Sequence, residues 1–212
     1  MEQLRPSDFQ IAVARVFFGL KASEGYVVAG GAGLLASELV NRPTQDLDFF
    51  THLPVETVAQ ARDAFLEALT GRGWTATVLV DAPTFCRMHV VDRDDEVLVD
   101  LALDSPPKAA PMITLLGPTL VPLELAGRKL LALFGRAEAR DFADVFVLAK
   151  RFDKEALLAE AAADDAGFDR RVLAEMMGTL GRFADEEIPL PDAVVGDARA
   201  FFAVWANELN DR

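Results

Sequence analysis

Hydrophobic and polar residues follow two different patterns along the chain. In the first half, short apolar runs typical of buried strands alternate with stretches whose three-to-four-residue apolar spacing is typical of amphipathic helices. The predicted strands cover 26–29, 46–51, 74–80, 85–91 and 96–103, and the predicted helices cover 8–22, 32–40 and 54–70. From residue 122 onward the spacing is helical, over 122–134, 138–151, 154–164, 168–184 and 194–209. The pattern predicts an α+β fold, with a mixed sheet and flanking helices in the amino-terminal half and a carboxy-terminal helical bundle.

Turn-forming residues support this division. Pro43 ends the second predicted helix, because the residue before a proline disfavours the helical conformation. The polar segment 92–95, Asp-Arg-Asp-Asp, lies between two predicted strands and indicates a hairpin turn. Prolines in the segment 105–122 mark an irregular link between the two patterns. We therefore expect an α/β domain over 1–110 and a helical domain over 111–212.

Composition limits the class of protein. The chain has 212 residues, of which 51% are apolar, and this allows a substantial core. It contains no run of 18 apolar residues, and its first residues lack the basic-then-apolar form of a secretory signal, so no membrane association is expected. Cys86 is the single cysteine, which excludes an internal disulfide framework and is typical of a reducing, cytoplasmic compartment.

Charge is unevenly distributed. The formal net charge of −13 disfavours non-specific binding of nucleic acid. The segment 128–154, however, has seven basic and four acidic side chains, so it carries +3 and the rest of the chain carries −16. This segment predicts either a local face that receives phosphates or an ordinary solvated helix surface.

Acidic residues interrupt two of the predicted strands. Asp46 and Asp48 lie in Asp-Leu-Asp-Phe-Phe, and because side chains alternate along a strand, both carboxylates face the same side. Asp100 lies in a second apolar strand, so three carboxylates converge if the two strands are neighbours. Three oxygen ligands suit Mg²⁺ or Mn²⁺, which also bind triphosphate oxygens. The alternative is that these residues only cap the ends of strands.

A glycine turn and a short loop precede the first two carboxylates. Gly30 and Gly31 follow the predicted strand 26–29, and glycine lets backbone N–H groups approach a phosphate. Arg42 has the geometry for bidentate hydrogen bonds to a phosphate, and Thr44 supplies a hydroxyl donor. The alternative is a solvent-facing loop arginine and a threonine at the end of a helix.

A second group of charged residues lies on the predicted helices of 122–134 and 138–151. Lys129 is a candidate for neutralising the charge that develops as pyrophosphate leaves a triphosphate. Asp141 and Asp144 are three residues apart and share a helix face, so Asp144 is placed to orient Lys129 or a substrate group. A salt bridge between the two helices is the alternative, and it is compatible with the first interpretation.

These motifs resemble those of a known family. Gly30-Gly31-Ala32-Gly33-Leu34, followed by Arg42-Pro43-Thr44-Gln45-Asp46-Leu47-Asp48-Phe49, resembles the signature of the AbiEii-type (MenT-like) nucleotidyltransferase toxins, in the DNA polymerase β-like nucleotidyltransferase superfamily. That signature reads Gly-Gly-x-Ala-Leu and then Arg-x-Thr-x-Asp-Leu-Asp-Phe, so Gly33 replaces the usual alanine. The family also has a third carboxylate on a later strand, which Asp100 matches, and a helical lysine followed by Arg-Asp-x-x-Asp. Lys129 and the segment 140–144 match that last feature, and the resemblance covers roughly residues 25–150.

The resemblance implies a nucleotidyltransferase-like fold and a metal-dependent transfer of a nucleotide from an NTP to an acceptor, with release of pyrophosphate. It implies Mg²⁺ or Mn²⁺ as cofactor, the tRNA 3′ end as acceptor, and a cognate antitoxin as partner of this toxin. The implied catalytic residues are Asp46, Asp48, Asp100, Lys129 and Asp144. The implied metal ligands are Asp46, Asp48 and Asp100, and the implied nucleotide-binding residues are Gly30, Gly31, Arg42, Thr44 and Lys129. Asp100 is further expected to help deprotonate the acceptor hydroxyl.

Two rival functions remain at this stage. The first is the same chemistry on another acceptor, either a small molecule or a protein side chain. The second is a nucleotide-binding module without catalysis. The carboxylates, the arginine and the lysine that the chemistry needs are all present in the sequence, and this favours an enzyme.

Overall fold

A computed structural model of the chain describes residues 3–211. The chain separates into two compact units, Met1–Pro122 and Leu123–Arg212. The first unit contains the sheet and its helices, and the second is helical. The α+β fold with a mixed sheet and a helical carboxy-terminal part, predicted from the sequence, is therefore confirmed.

Sheet formation dominates the first unit. Its strands are β1 (Tyr26–Ala29), β2 (Asp46–Thr51), β3 (Thr75–Ala82), β4 (Phe85–Asp92), β5 (Asp95–Leu103), β6 (Met112–Thr114) and β7 (Gly117–Thr119). Across residues 3–211 these seven strands form one sheet, in the order β3-β4-β5-β2-β1-β7-β6. The pairs β2–β5 and β1–β7 are parallel, and the other neighbours are antiparallel. The strand β2, which carries Asp46 and Asp48, therefore lies inside the sheet between β1 and β5.

Alternate residues of the strands are apolar and form a core on one face of this sheet. The unit's helices are α1 (Asp8–Phe18), α2 (Gly30–Ala36) and α3 (Glu56–Thr70), with a 3-10 turn at Lys21–Ser23. Phe49 of β2 stacks on Phe17 of α1 with ring centroids 4.5 Å apart, and Phe17 contacts Phe65 of α3 at 5.1 Å. All three rings are fully buried. Because alternate residues of β2 enter this core, the residues between them are left on the opposite face.

Helices make up the second unit. They are α4 (Pro122–Gly135), α5 (Ala139–Leu148), α6 (Lys154–Asp164), α7 (Arg170–Gly178) and α8 (Asp192–Asn210), with 3-10 turns at Thr179–Arg182 and Asp185–Glu187. Phe142 of α5 meets Phe202 of α8 edge-to-face at 5.1 Å, and both are buried with Trp205. Asp153 and Asp169 cap α6 and α7 by accepting hydrogen bonds from backbone N–H groups of the first turn. None of the helices within 3–211 is long and apolar enough to cross a membrane.

The structure differs from the sequence-based boundaries in two places. The helix expected over 32–40 begins at Gly30 and ends at Ala36. The link at 105–122 contains β6 and β7, and Leu120 N–H donates to the carbonyl of Val28 at 3.1 Å. The division between the units consequently falls after Pro122, whereas the sequence placed it after residue 110. Strands of three residues have no room for a detectable alternation, which explains why the pattern does not reveal them.

Candidate active site

The first two carboxylates of the candidate site share one face of β2. Leu47 and Phe49 are fully buried in the core, whereas Asp46 and Asp48, which alternate with them, are partly exposed on the opposite face. The sequence prediction that the two carboxylates face the same side is confirmed. Placing them on the face away from the core avoids the cost of burying two charges among the phenylalanine rings.

The third carboxylate lies on the next strand. β5 runs parallel to β2, and their register places Asp100 beside Asp48 and Leu98 beside Asp46. Hydrogen-bonded strands lie about 4.8 Å apart, so the three aspartates occupy one small area of the sheet face. The two acidic strands are neighbours, which is the condition under which the sequence predicts that the three carboxylates converge. Only 7% of the Asp100 side chain is exposed, so it is the most buried group of the three aspartates.

An arginine that the sequence reasoning did not identify lies in the same area. β4 is antiparallel to β5 and places Arg87 opposite Asp100. Arg87 Nε donates to Asp100 Oδ1 at 2.7 Å, and Arg87 Nη2 donates to Oδ2 at 2.6 Å, so the pair is bidentate. These hydrogen bonds, together with the charges of Asp100, Asp46 and Asp48, raise the pKa of Arg87 above its usual value. Arg87 therefore acts as a fixed cation among the three carboxylates.

The sequence contained a signal for Arg87. The turn at 92–95 pairs Asp92 with Asp95, and counting back from that pair along both strands aligns Arg87 with Asp100. The sequence predicts the turn, and the strand register that the turn imposes is what places Arg87 beside Asp100.

Arg87 also affects which of the three carboxylates can bind a metal ion, because it holds both oxygens of Asp100. Within residues 3–211 no group of three or more Asp, Glu, His or Cys side chains has the arrangement of a metal site. Both oxygens of Asp100 are engaged by Arg87, which gives a physical reason. Asp46 and Asp48 remain a pair on one face, and Mg²⁺ is commonly bound by one or two carboxylates together with substrate phosphates. The residues thus fit a cation that shares its ligands with a triphosphate, and the metal-ligand role of Asp100 stays a prediction.

The glycine turn brings the remaining predicted residues of this unit together. β1 pairs with β2 so that Ala29 lies opposite Asp48, and the chain turns at Gly30 with a φ of +59°. A Cβ atom at Gly30 would overlap the Asp48 carboxylate, so only glycine fits there.

The second glycine of the turn faces the loop before β2. A Cβ atom at Gly31 would lie 3.1 Å from Thr44 Oγ1 and 3.5 Å from Arg42 Nη2. One place at the end of β1 is therefore surrounded by two glycines, two loop side chains and one carboxylate: Gly30, Gly31, Arg42, Thr44 and Asp48.

Lys129, the predicted lysine of the second unit, is held between two carboxylates. Its Nζ lies 3.1 Å from Asp141 Oδ1 and 3.1 Å from Asp144 Oδ2, and all three side chains are buried. Arg136 adds two hydrogen bonds to Asp141, at 2.9 and 3.1 Å. The salt bridge between the two helices, which was the alternative interpretation of the sequence, is present, and the shared helix face of Asp141 and Asp144 is confirmed. The nucleotide-binding role of Lys129 and the orienting role of Asp144 stay predictions.

Opposing effects act on the ionisation of Asp141. Burial acts to raise the pKa of Asp141, but hydrogen bonds and charge from Arg136 and Lys129 outweigh burial, so the pKa lies below its usual value. A buried carboxylate with two cationic partners stays ionised and stabilises the unit, provided that both partners remain in place.

The basic segment 128–154 is largely neutralised within its own unit. Besides Lys129 and Arg136, three of its side chains form ion pairs: Arg128 with Glu124 at 3.0 Å, Arg140 with Glu138 at 2.8 Å, and Lys154 with Glu208 at 2.7 Å. These pairs favour the structural interpretation of the segment over a dedicated phosphate-binding face.

Comparisons with known protein structures agree with this fold. The protein JHP933 from Helicobacter pylori has a similar structure, with a TM-score of 0.58, 18% identity, and coverage of 97% of this chain and 95% of that chain. MenT4, a nucleotidyltransferase toxin from Mycobacterium tuberculosis, gives a TM-score of 0.54 and 16% identity, with coverage of 95% of this chain and 97% of that chain. At these identities the likeness shows the fold alone. No curated protein sequence matches the chain significantly.

The sequence profile of one family extends over nearly the whole chain. The matched residues are 15–211, and they include the glycine turn, the three strand aspartates and the helical lysine. The family is described as the nucleotidyl transferase AbiEii toxin of a type IV toxin–antitoxin system. The resemblance noted from the motifs is thus confirmed, and the chain belongs to the AbiEii family of nucleotidyltransferase toxins.

Proposed function

We propose that the protein transfers a nucleotide from an NTP to the 3′ end of a tRNA, and that this transfer makes it a toxin. The observation that carries the proposal is the position of Asp46, Asp48 and Asp100 on one sheet face, directly beside the Gly30 turn. Nucleotidyl transfer requires carboxylates that can hold a catalytic cation and backbone N–H groups that a phosphate can approach, and a glycine turn beside carboxylates can supply both.

The bond changes of the proposed reaction are simple. The oxygen of the acceptor hydroxyl forms a bond to the α-phosphorus of the NTP, and the bond between that phosphorus and the bridging oxygen breaks. Pyrophosphate leaves with the bonding electron pair, and the hydroxyl proton passes to a carboxylate. We assign this proton to Asp100, because a carboxylate has about four lone-pair sites and can accept another hydrogen bond while Arg87 holds it.

The donor nucleotide is proposed to bind at the glycine turn. The backbone N–H groups of Gly30 and Gly31 are proposed to bind the phosphates. Arg42 and Thr44 lie close enough to Gly31 to add side-chain donors. Asp46 and Asp48 are proposed to hold Mg²⁺ or Mn²⁺ together with the phosphate oxygens. When bound, the cation supplies Lewis-acid stabilisation of the charge on the transferred and leaving groups.

An antitoxin is the proposed protein partner, because the family is that of a type IV toxin–antitoxin system.

Expression of the wild-type chain in a bacterial host should arrest growth, and the Asp48→Asn variant should not. Growth arrest of equal strength from both chains would show that toxicity does not depend on this site.

The acceptor is tested by incubating the purified protein with each α-³²P-labelled NTP and Mg²⁺. Three acceptor pools are supplied separately: total RNA, small hydroxylated compounds, and protein. Label that appears in the tRNA fraction and is lost with Asp48→Asn supports the proposal. Label on small compounds or on protein would show that the acceptor is one of these and not tRNA. NTP binding without release of pyrophosphate would indicate a non-catalytic nucleotide-binding module.

A further inference from the structure

A recess of about 290 Å³ opens on the sheet face that carries the three aspartates. Six residues line it: Gln45, Leu79, His89, Glu96, Val97 and Leu98. Gln45 immediately precedes Asp46, and Leu98 lies beside Asp46 in the register of β2 and β5. His89 lies opposite Leu98 on β4. The recess therefore lies next to Asp46, and its residue Leu98 is one strand spacing, about 5 Å, from Asp46.

The lining of the recess suits a nucleobase and not a phosphate. Leu79 and Leu98 provide an apolar surface, and the imidazole of His89, about one-third exposed, provides a flat ring for stacking. The Gln45 amide can both donate and accept hydrogen bonds at a base edge. Glu96 lies 2.9 Å from His89 Nε2 and adds negative charge at the rim, which disfavours phosphate groups.

Size limits the occupant further. Ligand pockets generally span about 300–1,000 Å³, so this recess is at the small end of the range. It has room for one base and not for a duplex. A single unpaired base is the part of an RNA that proteins most often read, by stacking and by hydrogen bonds to the base edges.

The order of strands indicates which base enters. The glycine turn, with Arg42 and Thr44, lies on the β1 side of β2, and the recess lies on the β5–β4 side. In nucleotidyl transfer the attacking and leaving oxygens lie roughly in line across the phosphorus. If the triphosphate lies at the glycine turn, the acceptor must approach from the opposite side of the carboxylates, where the recess is.

We infer that this recess binds the terminal base of a single-stranded RNA acceptor, next to the hydroxyl that is extended. The inference rests on the proposed function, since it takes the donor to lie at the glycine turn. It assigns the role of binding the acceptor to Gln45, Leu79 and His89.

The test uses two variants, a matched control and two RNAs. His89→Ala removes the stacking ring, and Leu79→Trp fills the recess from a half-exposed position. His52→Ala is the control, because His52 follows the far end of β2 and does not line the recess. The RNAs are fluorescein-labelled single-stranded oligonucleotides that carry either a normal or an abasic 3′-terminal nucleotide. Binding is measured by fluorescence anisotropy, and KM values for RNA and NTP are measured in the transfer assay.

We expect wild type and His52→Ala to bind the normal RNA about tenfold more tightly than the abasic RNA, in the range that loss of one base stack produces. His89→Ala and Leu79→Trp should bind both RNAs equally and weakly, with the KM for NTP unchanged. A rise in the KM for NTP, with RNA binding unchanged, would assign the recess to the donor base and overturn the inference.

Unchanged discrimination between the two RNAs in both variants would also overturn it. Because binding is measured without turnover, the recess is tested even if RNA is not extended. A wild-type protein that discriminates between the RNAs but does not extend them would contradict the proposed function and leave the inferred site standing.

Discussion

Arg87 is the residue whose removal tests the arrangement of the carboxylates most sharply. Arg87→Met keeps much of the side-chain length but removes the cation that holds Asp100 through hydrogen bonds of 2.6 and 2.7 Å. Asp100 is then left nearly buried, beside Asp48 on the neighbouring strand and without its charged partner. We expect the variant to fold with lower stability.

The magnitude follows from the geometry of the pair. Two unit charges about 4 Å apart attract by about 4 kcal/mol at the effective dielectric constant of a protein surface. The Arg87 side chain is 40% exposed, so solvent screens part of this attraction. We therefore expect a loss of about 2–3 kcal/mol in the free energy of unfolding, within the range for a hydrogen bond between charged groups.

Two further measurements separate this explanation from a simple packing defect. In urea denaturation at pH 7, the double variant Arg87→Met/Asp100→Asn should recover most of the lost stability, because it removes the uncompensated charge. Mg²⁺ should raise the melting temperature of Arg87→Met more than that of wild type, because Asp100 becomes available as a ligand. A double variant as unstable as the sum of the two single variants, or an equal Mg²⁺ effect on both proteins, would refute this reasoning.

Three other variants test the glycine turn beside Asp48 and the ion pairs around Lys129. Gly30→Ala forces a positive φ on alanine and a clash with Asp48, so we expect a loss of about 1–2 kcal/mol in the free energy of unfolding and a loss of nucleotidyl transfer. Normal transfer activity would contradict the tight fit at the turn. Lys129→Met leaves two buried carboxylates without their shared cation and should cost about 3–5 kcal/mol in urea unfolding, whereas a loss below 1 kcal/mol would show that Arg136 suffices. Folding lowers the pKa of Asp141. The ionised Asp141 carboxylate therefore stabilises the folded protein fully above the pKa of the unfolded state, about 3.9, and this contribution is lost as the pH falls through the pKa of the folded state. The difference in melting temperature between wild type and Asp141→Asn should shrink below about pH 4, and a constant difference would refute this assignment.

Much of the site was predictable because it depends on local rules. Strand alternation places Asp46 and Asp48 on one face, and the same rule buries Leu47 and Phe49. The three-residue spacing on α5 brings Asp141 and Asp144 to the same ammonium group. These features follow from periodicity, which a single sequence reveals directly.

Other features were not predictable from periodicity because they depend on pairings distant in sequence. Arg87 is one residue in a strand pattern, and its role appears only when β4 is aligned with β5 and Asp100. The strand Gly117–Thr119 pairs with β1 across about ninety positions of sequence, and its three residues carry no pattern of their own. The sequence therefore reveals which residues share a face more reliably than which residues meet across the sheet.

The central claim is that the carboxylates beside the glycine turn carry out nucleotidyl transfer. The most direct measurement is the release of pyrophosphate and the appearance of labelled RNA with wild type, Asp48→Asn and Asp94→Asn, each checked by circular dichroism for correct folding. Asp94 is the matched control, because it is an exposed aspartate in the turn between β4 and β5. The account predicts that Asp48→Asn loses at least about 10²-fold in rate, the scale expected when an essential electrostatic group is removed, while Asp94→Asn keeps the wild-type rate. Transfer by a folded Asp48→Asn protein at a rate near that of wild type would contradict the account.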